Sequence, residues 1–152
     1  MFKGNYPVNL DSKGRLAIPT KLRPVFHDSC DGRLVVTTDP EGCLMLFTLP
    51  EWGEVEKQFE VLPTLNTHVR SITRLIIGHA MDCDMDGQGR ISLSDTLRQF
   101  ANLEKQVVLV GQLTKFEIWD AKTWNERRDS LTEDASLDDL KNSDPVLQNL
   151  VF

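Results

Sequence analysis

Apolar and polar residues alternate on both sides of two short glycine-containing segments, one near the start of the chain and one past its middle. The alternating apolar residues before these segments are Tyr6, Val8 and Leu10, and then Met81, Cys83 and Met85. A period of two is typical of strands, because successive side chains point to opposite faces. The pattern predicts a pair of short strands around each segment, with a turn at their connection.

The two segments are copies of one motif, Asp-x-x-Gly-Arg, at residues 11–15 and 86–90. The copies also agree after the motif, at the same offsets: Leu16, Ile18, Leu22 and Arg23 in the first copy correspond to Ile91, Leu93, Leu97 and Arg98 in the second. Each copy then continues with two apolar runs and a tryptophan. These are 34–36, 44–47 and Trp52 in the first copy, and 107–110, 116–119 and Trp124 in the second. Agreement over this length indicates an internal duplication. We therefore predict two modules, residues 5–52 and 81–124.

Helical patterns fill the rest of the chain. Residues 53–80 predict a helical hairpin divided near Pro63, with a helix over 53–61 and a second one capped by Thr64 or Asn66. Shorter helices are expected after each motif strand, over 19–23 and 94–100, the latter capped by Ser94. The terminal segment 125–152 is helical or polar, and from residue 136 onward we expect order only through contact with a partner.

Composition indicates a soluble globular protein. The chain has 152 residues, of which 40% are hydrophobic and 26% charged. A lone module of roughly 45 residues would bury too little apolar surface to be stable, so both modules should share one core. No apolar run approaches membrane-spanning length, and no secretory signal is visible, so we expect a cytoplasmic protein without membrane contact. Three cysteines without a Cys-x-x-Cys pair favour reduced thiols.

Charge is unevenly distributed along the chain. The net charge is −6 overall, which speaks against a nonspecific polyanion binder. Residues 1–26 nevertheless carry five basic side chains against Asp11 alone, a net charge of +4, whereas residues 129–152 carry −5. An acidic tail thus masks a basic first module.

Neither a metal site nor an active site is predicted. Asp82, Asp84 and Asp86 match the opening of a calcium-binding loop, but Leu93 stands where the bidentate glutamate belongs. These aspartates fit better as the outward face of a strand. The three histidines lie in unrelated segments, and His79 with Cys83 supplies only two of the four ligands of a zinc site. We expect no enzyme activity, no cofactor and no small-molecule substrate.

The repeated motif itself allows a structural and a functional interpretation. Gly14 and Gly89 permit tight turns, and Asp11 and Asp86 can accept hydrogen bonds from turn amides or pair with the arginine four residues on; this alone would make the motif hairpin architecture. On the functional interpretation, basic side chains project from a rigid turn, where an arginine binds phosphate or the guanine edge. Candidate DNA contacts are Arg15 and Lys13, followed by Lys3, Arg90 and Arg23.

Several of these features together resemble the MraZ family, which is built from two AbrB-like (SpoVT/AbrB) modules. The resemblance rests on the duplicated motif and on the segments 1–4, 9–19, 78–80 and 115–119, and it weakens only in the tail. It implies a mainly β, α+β fold of two swapped-hairpin modules that form an intramolecular pseudo-dimer, with inserted and C-terminal helices. It also implies a ring-like homo-oligomer. Arg15 falls on the family's DNA-contacting position, Arg90 matches it in the second copy, and Lys3 stands where many relatives have arginine.

The resemblance further implies a nucleoid-associated repressor that binds direct repeats in double-stranded DNA upstream of its own operon, in the division and cell-wall gene cluster. Two other hypotheses remain open. An antitoxin-like module would use its acidic tail to bind a protein partner, and a structural ring scaffold would assemble without sequence-selective DNA binding.

Overall fold

The computed structural model describes residues 1–134 and 136–151 and divides into two compact units after Ala121. The strands described in the first unit are β1 Asn5–Asn9, β2 Arg15–Ala17, β3 Leu34–Thr38, β4 Leu44–Thr48, β5 Met81–Asp82, β6 Arg90–Ser92, β7 Gln106–Gln112 and β8 Lys115–Asp120. The described helices are α1 Arg23–Cys30, α2 Leu49–Glu60, α3 Thr67–Ile76, α4 Asp95–Phe100, α5 Ala121–Asp134 and α6 Leu137–Ser143.

The two modules exchange their leading strands. The first unit holds an antiparallel six-stranded sheet, ordered β1-β7-β8-β4-β3-β5, and a two-stranded sheet of β2 and β6. Strand β1 of the first module pairs with β7 of the second, while β5 of the second pairs with β3 of the first. The predicted α+β, swapped-hairpin fold is therefore confirmed. Around the first motif, direct pairing of the flanking strands is limited to a bridge between Leu10 and Leu16.

Both faces of the central strands are buried, which explains their uninterrupted apolar runs. In β3, Leu34 and Val36 face a large core to which both modules contribute, as predicted, whereas Val35 faces a second cluster. In β4, Leu44 and Leu46 likewise face the large core, and Met45 and Phe47 face the second cluster. The second cluster lies under α2 and α3 and contains Trp52 and Ile76. The helical insert thus covers the back of the sheet.

The first short helix differs from the prediction. Residues 19–22 form a turn, closed by the N–H of Leu22 donating to the carbonyl of Pro19 at 2.9 Å, and α1 begins only at Arg23. A helix that began at Pro19 would place Pro24 in its interior, where proline lacks an N–H and clashes with the carbonyl of Thr20. Proline is tolerated in the first helical turn, so Pro24 fixes the start of α1.

The inserted helices also start at positions set by their caps. Helix α2 begins at Leu49, four residues before the predicted start, because Pro50 lies in its first turn. The side chain of Asn66 accepts from the amides of His68 and Val69 and caps α3, one of the two caps expected. Pro63 lies between the two helices, as predicted.

The predicted inward face of the strand before the second motif is only partly correct. Cys83 is buried in the main core, and Met85 packs against it. Met81 shares their side of the chain, but the residue is 46% exposed. Strand β5 is the edge of the six-stranded sheet, so Met81 is flanked by a strand on one side only, that of β3.

The second unit, taken by itself, consists of most of α5, α6 and a short 3-10 helix at Pro145–Leu147. The hydroxyl of Ser136 accepts from the amide of Asp139, whose carboxylate accepts from the amide of Ser136, and this capping box starts α6. The second unit thus contains helices of its own, and residues 135 and 152 lie outside the described part. Among the described helices, none is both long and apolar enough to cross a membrane.

Candidate nucleic-acid interface

The first motif forms a tight turn that is held together by the carboxylate of Asp11. One oxygen, Oδ1, accepts from the backbone N–H of Lys13 and of Arg15, each at 2.9 Å. The other, Oδ2, accepts from Nε of Arg15 at 2.7 Å. Gly14 has φ = 76°, in the left-handed region that glycine adopts without strain. The turn therefore fixes the backbone of the motif and the position of Nε of Arg15, where its guanidinium group begins.

The second motif repeats this arrangement bond for bond. Oδ1 of Asp86 accepts from the N–H of Gln88 at 2.8 Å and of Arg90 at 3.0 Å, and Oδ2 accepts from Nε of Arg90 at 3.2 Å. Gly89 has φ = 74°. The two turns thus share one backbone conformation.

A two-stranded ladder brings the two turns side by side. Leu16 lies opposite Ile91 at its centre, and both are fully buried. Arg15 and Arg90 occupy the opposite face, because side chains alternate along a strand. Standard strand spacings place their Cα atoms roughly 8 Å apart. The structure thus gathers the two motif arginines, one from each module, on a single face.

Each turn is also bonded to the other module. The carbonyl of Gly14 accepts from the N–H of Leu93 at 2.9 Å, and the carbonyl of Gly89 accepts from the N–H of Ile18 at 2.8 Å. These reciprocal bonds extend the ladder beyond β2 and β6. The separation of the two turns is therefore set by backbone bonds rather than by flexible side chains.

Two further arginines pack against the turns from α1 and α4. Arg23 donates from Nε to the carbonyl of Ile18 at 2.8 Å and lies against Gly89, and Arg98 donates from Nε to the carbonyl of Leu93 at 3.1 Å and lies against Gly14. Each therefore supports the turn of the opposite module. Arg98 also pairs with Asp95.

The motif carboxylates are held in their charged form. The backbone N–H of Arg15 lowers the pKa of Asp11, and the side chain of Arg15 and the N–H of Lys13 act in the same direction. The pKa of Asp86 is lowered mainly by the backbone N–H of Arg90. Such exposed ion pairs contribute little stability. Their effect here is orientation, because Nε of each arginine is fixed while its two terminal nitrogens have no acceptor within the described part of the chain.

Comparison with known proteins identifies the family. A family model described as "MraZ protein, putative antitoxin-like" matches the chain over residues 1–75 and again over 76–143. The chain belongs to the MraZ family. The two matches agree with the internal duplication that the repeated motif predicts.

Several MraZ relatives align over most of this chain. The Transcriptional regulator MraZ of Methylococcus capsulatus is 49% identical over 152 residues, which are 100% of both proteins. Its namesake in Thioalkalivibrio sulfidiphilus is 48% identical over 129 residues, 85% of this chain and 86% of the relative. That of Erwinia tasmaniensis is 48% identical over 138 residues, 90% of this chain and 91% of the relative.

Lys3 lies apart from the other predicted contacts in this MraZ structure. Its neighbour Phe2 donates its N–H to the carbonyl of Leu113 at 2.7 Å, and its other neighbour, Gly4, accepts from Gly111 at 2.8 Å. The motif turn follows the opposite end of β1, a strand that is itself roughly 13 Å long. The structure brings Lys13, Arg15, Arg23 and Arg90 to the two turns and leaves Lys3 outside that group.

One group of side chains has the composition of a metal site. Ligand atoms of Asp39, Cys43 and Glu117 lie within 4.8 Å of one another. The carboxylate of Asp39 already accepts from the N–H of Glu41 at 2.8 Å, and that of Glu117 accepts from Nε1 of Trp119 at 3.1 Å. Burial raises the pKa of the Cys43 thiol, and the neighbouring carboxylates of Asp39 and Glu117 act in the same direction. Both carboxylates therefore already have hydrogen-bond donors within the protein.

One residue of the site is not predicted from the sequence. Arg98 corresponds to Arg23 in the second copy of the motif, but only Arg23 is a predicted contact. Outside the site, residues 39–43 form a third Asp-x-x-Gly turn between β3 and β4, in which the N–H of Asp39 donates to the carbonyl of Cys43 at 2.9 Å, as Asp11 does to Arg15. The spacing of Asp39 and Gly42 carried that signal.

Gly89 provides a test of how closely the two modules interlock. A Cβ added there would lie 2.5 Å from Cδ of Arg23, and its φ of 74° is strained for alanine. Gly89→Ala should therefore lower the free energy of unfolding by about 1–3 kcal/mol. Gly87→Ala is the matched control, because a Cβ at that position meets nothing within 4 Å. Equal urea midpoints for the two variants would contradict the interlocking of Gly89 with Arg23.

Proposed function

We propose that this MraZ family protein is a DNA-binding transcriptional repressor whose reading surface is the face of the β2–β6 ladder that carries Arg15 and Arg90. The observation that carries the proposal is the pair of oriented guanidinium groups whose terminal nitrogens have no acceptor among the described residues. A guanidinium presents two parallel donors, which match phosphate oxygens or the O6 and N7 of guanine. The names of its relatives support a role in transcription regulation.

The spacing of the arginines suits one groove of DNA. The major groove is about 12 Å wide, and the two Cα atoms are roughly 8 Å apart. Both side chains can therefore enter the same groove from one side. Lys13 extends from the first turn toward the backbone phosphates, Arg23 supports the second turn and adds charge, and Lys3 makes a more distant phosphate contact.

The proposal includes assembly. One chain offers few basic residues and carries a net charge of −6, so a single chain should bind weakly. A ring-like homo-oligomer on direct repeats would gain affinity through linked contacts. Head-to-tail subunits present the same turns in the same direction, which suits direct rather than inverted repeats. Repeats about one helical turn apart would keep these turns on one side of the duplex.

In the cell, we propose a cytoplasmic, nucleoid-associated protein that binds repeats upstream of its own operon and negatively regulates the division and cell-wall gene cluster. Residues 5–52 and 81–124 would act as the two AbrB-like modules. Residues 53–80 would form the insert between them, and residues 125–152 would form a separate C-terminal segment.

A second candidate function is antitoxin-like binding of a protein partner through the tail. It is favoured by the net charge of −5 over residues 129–152, by the separation of the second unit after Ala121 and by the wording of the family description. Deletion of residues 125–152 tests this candidate, because it should abolish binding of the protein partner. A shortened chain that keeps its DNA affinity and all of its protein contacts would count against the antitoxin-like function.

The repressor proposal is tested with the unmodified chain on DNA from upstream of its own gene and on scrambled DNA of the same composition, across a salt series. We expect the chain to bind the upstream DNA more tightly than the scrambled DNA. The logarithm of its binding constant should fall linearly with the logarithm of the salt concentration, with a slope of about −0.9 for each phosphate contact. Equal and weak binding to both DNAs would remove the proposal and favour the antitoxin-like or scaffold alternative.

A further inference from the structure

The two motif turns are equivalent in backbone but not in the side chain that each presents two residues before its arginine. The first turn carries Lys13 and the second carries Gln88. The N–H of each donates to Oδ1 of the motif aspartate, at 2.9 Å for Lys13 and 2.8 Å for Gln88. Because the ladder relates the two turns, the same geometric position holds a cation on one side and an amide on the other.

Gln88 is exposed and available for binding. Its backbone is fixed by Asp86, and its side-chain amide has no partner within the described residues. Its neighbour Gly87 lacks a side chain, and a Cβ at that position would meet open space. A ligand can therefore approach this turn closely, next to the unbonded end of Arg90.

The two side chains differ in what they can recognise. A lysine ammonium has donors only, and it binds phosphate as a point charge. A glutamine amide has a donor and an acceptor side by side, a pattern that matches N7 and N6 of adenine in the major groove. A glutamine beside a groove-reading arginine can therefore recognise adenine, whereas a lysine at the same position has no acceptor for the N6 amino group of adenine.

We propose that Gln88 is a specificity-determining residue that reads an adenine beside the base contacted by Arg90, while Lys13 contacts phosphate on the other side of the ladder. The inference rests on the proposed DNA-binding function and deepens it. A protein with two identical turns could bind its DNA site in either direction, because the ladder relates one turn to the other by an approximate twofold axis. The difference between Gln88 and Lys13 removes that ambiguity, so that each chain reads a non-palindromic element in one direction.

The experiment is selection from a randomised duplex library with the full chain, comparing the unmodified protein with Gln88→Ala and Gln88→Lys. The unmodified protein should enrich adenine at one position adjacent to its guanine contact. Gln88→Ala should reduce that preference about tenfold and leave the other positions unchanged. Gln88→Lys should make the enriched element more symmetric and steepen the salt dependence by about 0.9.

Two outcomes overturn the inference, and they are distinguishable. If the unmodified protein enriches a sequence and Gln88→Ala enriches the same one with the same preferences, Gln88 does not read a base, although the DNA-binding function stands. If the unmodified protein enriches no sequence, the proposed function and the inference both fail. Far-UV circular dichroism of the variants checks that the exposed substitutions leave the fold intact.

Discussion

Replacing Arg15 and Arg90 together with alanine is expected to abolish selective DNA binding and to leave the fold unchanged. Each oriented guanidinium should contribute about 1–3 kcal/mol of discrimination. The double variant should therefore bind specific DNA at least ~30-fold more weakly per chain, and more weakly still in a multivalent assembly. The turns should persist, because Asp11 and Asp86 keep their bonds to backbone amides.

The matched control removes the same charge elsewhere. Arg70 and Arg74 lie on α3, are exposed and belong to the helical insert. Arg70→Ala with Arg74→Ala should retain selectivity, as measured by fluorescence anisotropy with upstream and scrambled duplexes. A third variant, with lysine at positions 15 and 90, keeps the charge but loses the planar donor pair, so its selectivity should be intermediate. Equal losses in the α3 double variant and the Arg15/Arg90 double variant would show that overall charge, not the ladder face, governs binding.

The largest effect on stability is expected at the centre of the ladder. Leu16 is 0% exposed, lies opposite Ile91 and packs in the core that both modules build. Leu16→Ala should lower the free energy of unfolding by about 2–5 kcal/mol, since it removes buried methyl groups and leaves a cavity. Because Arg15 precedes Leu16 on β2, the loss should also loosen the reading face.

Leu65→Ala is the control for this change, because Leu65 is 88% exposed in the connection between α2 and α3. The same chemical substitution there should alter the free energy of unfolding by less than about 0.5 kcal/mol. Urea unfolding followed by far-UV circular dichroism measures both variants. A cost below about 1 kcal/mol for Leu16→Ala would mean that the ladder is not part of the cooperative core.

The local features of the fold were predictable from the sequence because they depend on nearby residues. The spacing of Asp11 and Gly14 predicts a tight turn, and Ser94 and Asn66 are helix caps that act within three residues. The difference over residues 19–23 is also local in origin, because Pro24 is tolerated only in the first turn of a helix and so places the start of α1 at Arg23.

The pairing of strands could not be derived in the same way. The alternation of Tyr6 and Val8 defines which face of β1 is buried, but it contains nothing about the partner strand, and β7 lies about a hundred residues further on. The exchange was expected only through the resemblance to a known family. The exposure of Met81 could not be predicted from the alternating pattern either, because it depends on the position of β5 at the edge of the sheet.

The residues of the candidate site could likewise be predicted from the sequence, whereas their arrangement could not. The sequence nominated Arg15 and Arg90 separately, but their common face depends on the register that places Leu16 opposite Ile91. The supporting contact of Arg98 with Gly14 likewise joins residues from different modules. Such relations arise from tertiary packing, and no local pattern encodes them.

The exchange of strands between covalently joined modules has a consequence for how the protein responds to dilution. Two separate modules that completed each other in this way would come apart at low protein concentration, since their pairing would be bimolecular. Here the insert ties the partners together, and a tether of this kind holds them at an effective concentration on the order of millimolar. The face that carries Arg15 and Arg90 is therefore complete in every folded chain, however few copies are present.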